Sequence, residues 1–362
     1  MKVYNFSAGP AMLTEDVMKI AQAEFCDFKG SGRGLIELSH RGKLFTAVIE
    51  RAVANVRELM NIGDDYTVLF IQGGASMQFA MVPMNLLPAG QSADYADTGV
   101  WADKACKEAA AMGKARTVCS SKADKYSYIP DFKSWDLDPA AAYLHITSNN
   151  TVAGTQYPAF PKAPAGVPMI ADMSSDIMSR VIDVKDFGLI YAGAQKNLGP
   201  SGMALVIMRR DLAARTPKSV PTMLKYSTYM ENDSLYNTPP TFGIYLMGLV
   251  LDWVKQQGGL AAVTARNEAK AALIYDAIDA SNGFYKGHAA ATARSRMNIT
   301  FTLATEELEK KFLAEAKQAG FVGLAGHRSV GGCRASAYNS VPLESCQALR
   351  DLMLKFQKEN SK

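Results

Sequence analysis

The sequence predicts an α/β protein with a larger domain built on a mostly parallel sheet and a smaller C-terminal α/β domain. Two observations carry this. Short apolar runs at residues 66–71, 141–146, 167–171, 188–192 and 203–208 are separated by helical or long crossing stretches, the pattern of buried parallel strands. Beyond residue 260 a second block holds a strand signal at 298–302, a helix at 305–319, a strand-like run at 335–338 and a helix at 342–358. The boundary is expected near residue 260, giving domains of residues 1–259 and 260–362, the first including the N-terminal segment.

Taken in order, the first helix is expected over residues 14–28, with Thr14 as cap and Glu15 and Asp16 in the first turn. Glycines at 30, 32 and 34 then break the chain. A second helix fits 43–60, where Phe45, Val48, Ile49, Ala52 and Val56 recur at helical spacing. A helix at 76–86 follows the first strand. Further helices are expected at 241–256 and at about 260–281.

Bulk properties narrow the function. Lys+Arg number 39 against Asp+Glu 35, a net charge of +4, too small an excess for a nucleic-acid partner. No stretch approaches a membrane span. The N-terminus lacks the apolar core of a signal peptide. The five cysteines are scattered and form no C-x-x-C pair, which gives no support to a metal site and fits reduced thiols in a cytoplasm.

The chemistry concentrates after the strands, where ligands gather in such sheets. Lys196 follows the strand at 188–192 in a run of small residues. A lysine held among apolar neighbours loses its proton readily and attacks carbonyls. Asp172 ends the preceding strand. A carboxylate there suits pyridoxal phosphate, whose ring nitrogen needs a negative neighbour to stay protonated. The turn after residue 71, with Gly73, Gly74, Ala75 and Ser76, could offer backbone N–H groups to a phosphate at a helix start. Trp101 could stack on a planar ligand. Each has a plain alternative: a surface lysine, a helix-capping aspartate, an ordinary strand–helix turn, a core tryptophan. The glycines at 30–34 neither follow a strand nor complete a dinucleotide fingerprint, and the chain has no phosphate loop ending in Gly-Lys-Ser/Thr.

Together, NFSAGPAM at 5–12, SHRGK at 39–43, ADMSS at 171–175, YAGAQKN at 191–197, YNTPPTF at 236–242 and GHRSVGGCRAS at 326–336 resemble the class V aminotransferases, within them the branch acting on phosphoserine. The resemblance runs along nearly the whole chain. It implies the aspartate-aminotransferase-like fold of pyridoxal-phosphate enzymes (fold type I), with a seven-stranded-type sheet. It implies reversible transamination of O-phospho-L-serine with 2-oxoglutarate in L-serine biosynthesis, with phosphohydroxythreonine of pyridoxine biosynthesis as a further substrate in some members.

The resemblance also assigns roles. Lys196 would form the Schiff base, Asp172 pair with the ring nitrogen, Trp101 stack on the ring and Thr151 bond near its hydroxyl. Ala75, Ser76 and Gln195 would hold the phosphate, joined by Asn237 and Thr238 from a second subunit of a homodimer. Some members carry Gly-Arg in place of Ala75-Ser76, so the serine hydroxyl has more to do here. Arg334 would take the α-carboxylate, and His40, Arg41, His327 and Arg328 are candidates for the distal phosphate or carboxylate. His145 and His288 read as structural.

The rivals within the fold are an alanine–glyoxylate-type aminotransferase, which would not need so many cations, and a cysteine desulfurase, which needs a mobile reactive cysteine. Cys333 is the only thiol near a candidate residue and reads as packing. A non-catalytic regulator that binds the cofactor is the rival from another class.

Overall fold

The computed structural model describes residues 2–328 and 330–361. The chain begins with β1 (Tyr4–Asn5), α1 (Glu15–Glu24) and α2 (Lys43–Met60). Thr14 caps α1, its Oγ1 accepting from Val17 N at 3.4 Å. The helix ends before residue 28, because Phe28 leaves its axis to become buried edge-on against Tyr245. α2 has the bounds the spacing predicts and buries Phe45, Ile49, Ala52 and Val56.

Next come β2 (Tyr66–Gln72), α3 (Gly74–Leu86), β3 (Ser92–Asp97), α4 (Val100–Ala110), β4 (Lys114–Ser120) and β5 (Leu144–Thr147). A small hairpin of β6 (Asn149–Asn150) and β7 (Thr155–Gln156) precedes β8 (Met169–Asp172), β9 (Leu189–Gly193) and β10 (Met203–Arg209). Seven of these strands form one sheet in the order β2-β10-β9-β8-β5-β3-β4. β10 runs antiparallel to both neighbours, and the remaining pairs are parallel.

Both faces of this sheet are covered, as its near-continuous apolar strands require. Along β2 the side chains alternate. Val68 and Phe70 join an apolar cluster with α2 and the later helix over Thr241–Gln256, while Leu69 and Ile71 join another with Phe79, Met81 and Val82 of α3. β3, α4 and β4 carry no strong sequence signal. The β3 residues Ser92–Asp97 are polar or small, yet the whole strand is buried. Its carboxylates are held from β4: Arg116 Nη1 donates to Asp94 Oδ1 at 3.1 Å, and Ser120 Oγ donates to Asp97 Oδ2 at 2.7 Å.

After α5 (Tyr226–Glu231), α6 (Thr241–Gln256) and α7 (Gly259–Asp279) come β11 (Tyr285–Gly287), β12 (Asn298–Leu303), α8 (Glu306–Gln318), β13 (Phe321–Val322), β14 (Cys333–Ser336) and α9 (Leu343–Asn360). β11, β12 and β14 form an antiparallel sheet. The strand expected at 335–338 starts earlier because Cys333 and Ala335 are the side chains that reach the core, opposite Phe301 and Ile299. Tyr338 lies past its end and donates its hydroxyl to Ala8 O at 2.8 Å. The first residues also belong here: β1 pairs with β13, and Phe6 sits in the C-terminal apolar cluster. Grouping the N-terminal segment wholly with the larger domain therefore differs from what is found.

Candidate active site

β2, β3, β5, β8 and β9 point the same way, so their carboxyl ends share one edge of the sheet, where ligands collect in open α/β folds. Just beyond those ends come Ala75, Trp101, Thr151, Asp172 and Lys196. Ala75, Ser76, Trp101, Asp172, Gln195 and Lys196 line one cavity of about 390 Å³.

Lys196 stands in the turn after β9. Its Nζ donates to Thr151 Oγ1 at 2.7 Å and lies 5.7 Å from the centre of the Trp101 ring. Burial pushes its pKa down to about 8, with nearby Arg334 acting the same way; Asp172 and Asp176 oppose the shift. This lysine is thus set to lose its proton near neutrality, which a nucleophile toward carbonyls needs.

Asp172 closes β8 and is buried. Ser174 holds its Oδ1 from two sides, with backbone N at 2.9 Å and Oγ at 2.6 Å. Gly193 N in turn donates to Ser174 Oγ at 3.0 Å. Burial raises the Asp172 pKa, against which Lys196 and the Ser174 bonds work. A buried carboxylate beside a cavity fits a cationic ligand nitrogen. Trp101 Nε1 is also buried without a hydrogen-bond partner among the described residues.

Trp101 starts α4 because Gly99 lets that helix approach the β6 turn; a Cβ at Gly99 would collide with the Asn150 side chain. Thr151 sits on the far side of the same turn. Gly73 and Gly74, at φ 91° and 63°, turn the chain from β2 into α3. Its first N–H groups, near Ala75 and Ser76, have no partner within the helix and form an anion site.

Arg334, on β14, donates from Nη1 to Thr151 O at 3.2 Å, while its Nε is buried without a partner among the described residues. His327 is half-buried. Burial lowers its pKa first, followed by Arg334, Arg328 and Lys104, which marks a local gathering of cations. Ser329, within the same motif, lies outside the described residues.

Eight candidates do not line this cavity: Thr151, His327, Arg328 and Arg334, which stand as described above, and Asn237, Thr238, His40 and Arg41. Asn237 and Thr238 lie beside β2, where Gln72 Nε2 reaches Asn237 Oδ1 at 3.4 Å and Thr238 O at 3.5 Å. His40 and Arg41 occupy the turn before α2, Arg41 exposed and His40 with a buried Nε2 that has no hydrogen-bond partner among the described residues. Sequence reasoning missed Ser174, Lys104 and the cavity-lining Gly9 and Pro10. Lys104 Nζ stands 4.5 Å from the centre of the Trp101 ring; helical spacing from Trp101 was its only signal. Cys333 is buried, and burial drives its thiol pKa far up, so it is no ready nucleophile. His145 is buried and held near pKa 3, its Nε2 2.9 Å from Tyr191 Oη.

A family model for class V aminotransferases matches residues 3–349. The chain belongs to the class V aminotransferases. A phosphoserine aminotransferase of Lysinibacillus sphaericus is 57% identical over 99% of both chains. The solved phosphoserine aminotransferase of Bacillus circulans subsp. alkalophilus superposes with a TM-score of 0.97 at 54% identity, covering 99% of each chain. A pyridoxal-phosphate-bound phosphoserine aminotransferase of Trichomonas vaginalis gives a TM-score of 0.92 at 35% identity, over 98% of this chain and 100% of its own. The mixed, mostly parallel sheet with its smaller C-terminal sheet is thus the fold of these aminotransferases. No described helix is long and apolar enough to cross a membrane.

Proposed function

We propose that this class V aminotransferase interconverts O-phospho-L-serine and 3-phosphohydroxypyruvate, with L-glutamate and 2-oxoglutarate as the other pair, using pyridoxal 5′-phosphate, as a step of L-serine biosynthesis. The observation that carries the proposal is that Lys196 and Asp172 line one cavity, with Lys196 bonded to Thr151, Thr151 in turn bonded to Arg334, and His327 and Arg328 near Arg334. Full-length relatives of that activity support it.

The residues fit the cofactor: Asp172 for a ring nitrogen, Trp101 for a ring face, Thr151 beside the ring hydroxyl, and Ala75, Ser76 and Gln195 for a phosphate. When bound, pyridoxal phosphate supplies an aldehyde and a ring that accepts an electron pair. The chain's own residues do the rest. Lys196 Nζ, freed as a neutral amine, takes the proton from the substrate Cα and returns it on the other side of the exchange. Thr151 Oγ1 holds that nitrogen in place. Arg334 binds the α-carboxylate through two parallel bonds. His327 and Arg328 hold the distal anion that phosphoserine and glutamate share.

We also infer that the enzyme is a cytoplasmic homodimer whose subunits share sites. Asn237 and Thr238 would complete the phosphate site of a second copy, with His40 and Arg41 on the same intersubunit side. Exposed Met18, Ile20, Phe25, Ile36 and Tyr236 near these segments suit a protein interface. The division into domains within α7 draws support from its packing: Leu260 and Val263 join the core of the large sheet, Ile274 and Ile278 that of the small one.

The test is the visible spectrum of the purified protein with pyridoxal phosphate. A yellow band that bleaches with phosphoserine and returns with 2-oxoglutarate is expected. Bleaching by alanine or cysteine but not phosphoserine would overturn the substrate assignment and leave the cofactor.

A further inference from the structure

The chain treats the two carboxylate oxygens of Asp172 differently. Oδ1 receives two donors from Ser174, the backbone N–H at 2.9 Å and the hydroxyl at 2.6 Å. Oδ2 has no hydrogen-bond partner among the described residues. Asp172 is 4% exposed, and it lines the cavity together with Ser174. Oδ2 is therefore the oxygen left to a ligand.

The direction of the Ser174 hydroxyl is set from the neighbouring strand. Gly193 N, at the end of β9, donates to Ser174 Oγ at 3.0 Å. A backbone N–H can only donate, so the hydroxyl accepts there and gives its own proton to Asp172. Both acceptor positions of Oδ1 are then taken. Any proton that Asp172 took up would sit on Oδ2 and turn it into a donor, closing it to a ligand N–H. Burial favours that neutral carboxyl, and the two Ser174 bonds favour the ionised one. The backbone keeps Ser174 in place independently of its side chain: Met173 N donates to Tyr191 O at 2.9 Å, carrying the β8–β9 pairing past the end of β8.

We propose that Ser174 is a positioning residue for Asp172: it commits Oδ1 as an acceptor and leaves Oδ2 alone open, so that the site selects a ligand whose ring nitrogen carries a proton. The inference rests on the cofactor reading above. It adds a residue that touches neither the ring nor the substrate and acts through the carboxylate.

The experiment compares the equilibrium binding of two ligands to the cofactor-free protein: pyridoxal 5′-phosphate and its 1-deaza analogue, in which a C–H replaces the ring nitrogen. The wild type should prefer pyridoxal phosphate. Ser174→Ala should weaken pyridoxal phosphate by about tenfold, the worth of a hydrogen bond to a charged group. The analogue, which gives Oδ2 no N–H, should bind the variant as it binds the wild type. In an Asp172→Asn background, adding Ser174→Ala should leave the preference unaltered. Equal weakening of both ligands would mean that Ser174 only holds the turn through Gly193, and overturns the proposal. Should Ser174→Ala not fold, Ser174→Cys decides by the same comparison, because its thiol donates weakly. A wild type that binds neither ligand overturns the cofactor reading and this inference with it. A wild type that prefers pyridoxal phosphate, with that preference intact in the Ser174 variant, overturns the inference alone.

Discussion

Lys196 Nζ and Thr151 Oγ1 lie 2.7 Å apart, and this bond joins two strand ends at one point. Thr151 follows β5 and Lys196 follows β9. The same threonine takes Arg334 through its carbonyl at 3.2 Å, so the amine and the guanidinium are set by one residue. Lys196→Ala is therefore expected to abolish turnover while circular dichroism stays that of the wild type. Near-wild-type turnover in that variant would remove Lys196 from its role.

The burial that lowers the Lys196 pKa to about 8 has a stability consequence in the cofactor-free protein. The unfolded chain holds its proton to the ordinary lysine value of 10.5. Below pH about 8 the folded state bears the full cost of a buried ammonium, and the cost fades as pH rises from there towards 10.5. Lys196→Met should thus stabilise the cofactor-free protein by about 1–3 kcal/mol at neutral pH. Denaturant unfolding at a series of pH values checks this. A gain that grows rather than shrinks above pH 8 contradicts the sign.

Arg334 presents a buried Nε with no partner among the described residues, a state that a bound ligand would relieve. Arg334→Gln should lower kcat/KM by about 100-fold for phosphoserine and for glutamate alike, the worth of a charged double bond to a carboxylate. Arg328→Gln should instead act unequally, weakening phosphoserine more because its distal group carries more charge. Steady-state kinetics with both amino donors separates the two. An Arg334 variant that spares either donor would contradict a shared α-carboxylate site.

Much of this arrangement was legible in the sequence because chemistry and strand ends coincide. Asp172 and Lys196 end or follow strands whose apolar runs are plain. The missing part was β3, α4 and β4. A strand such as Ser92–Asp97 has no apolar run, and its burial relies on β4, from which Arg116 pairs with Asp94 and Ser120 donates a hydrogen bond to Asp97. Such long-range pairing leaves no periodic trace, so Lys104, on the helix between them, went unread. Ser174 was hidden for a related reason. Its meaning lies in bonds to Asp172 and Gly193, which no spacing announces. The shift of β14 follows from which residues face the core rather than from hydrophobicity alone.

The shared-site proposal makes the strictest demand. Asn237 and Thr238 lie outside the cavity of their own chain, beside Gln72. If they complete a second copy's phosphate site, a subunit carrying Asn237→Ala with Thr238→Ala retains a working Lys196 but weakens its neighbour. A Lys196→Ala subunit has the reverse defect. In a mixed dimer, the subunit with Lys196 is completed by the intact Asn237 and Thr238 of the other. Unfolding and refolding the two variants together should therefore give more activity than the average of the two refolded separately. The comparison is made at limiting pyridoxal phosphate, where weakened phosphate binding shows as lost activity. An activity equal to the simple average would mean that each subunit holds its cofactor alone.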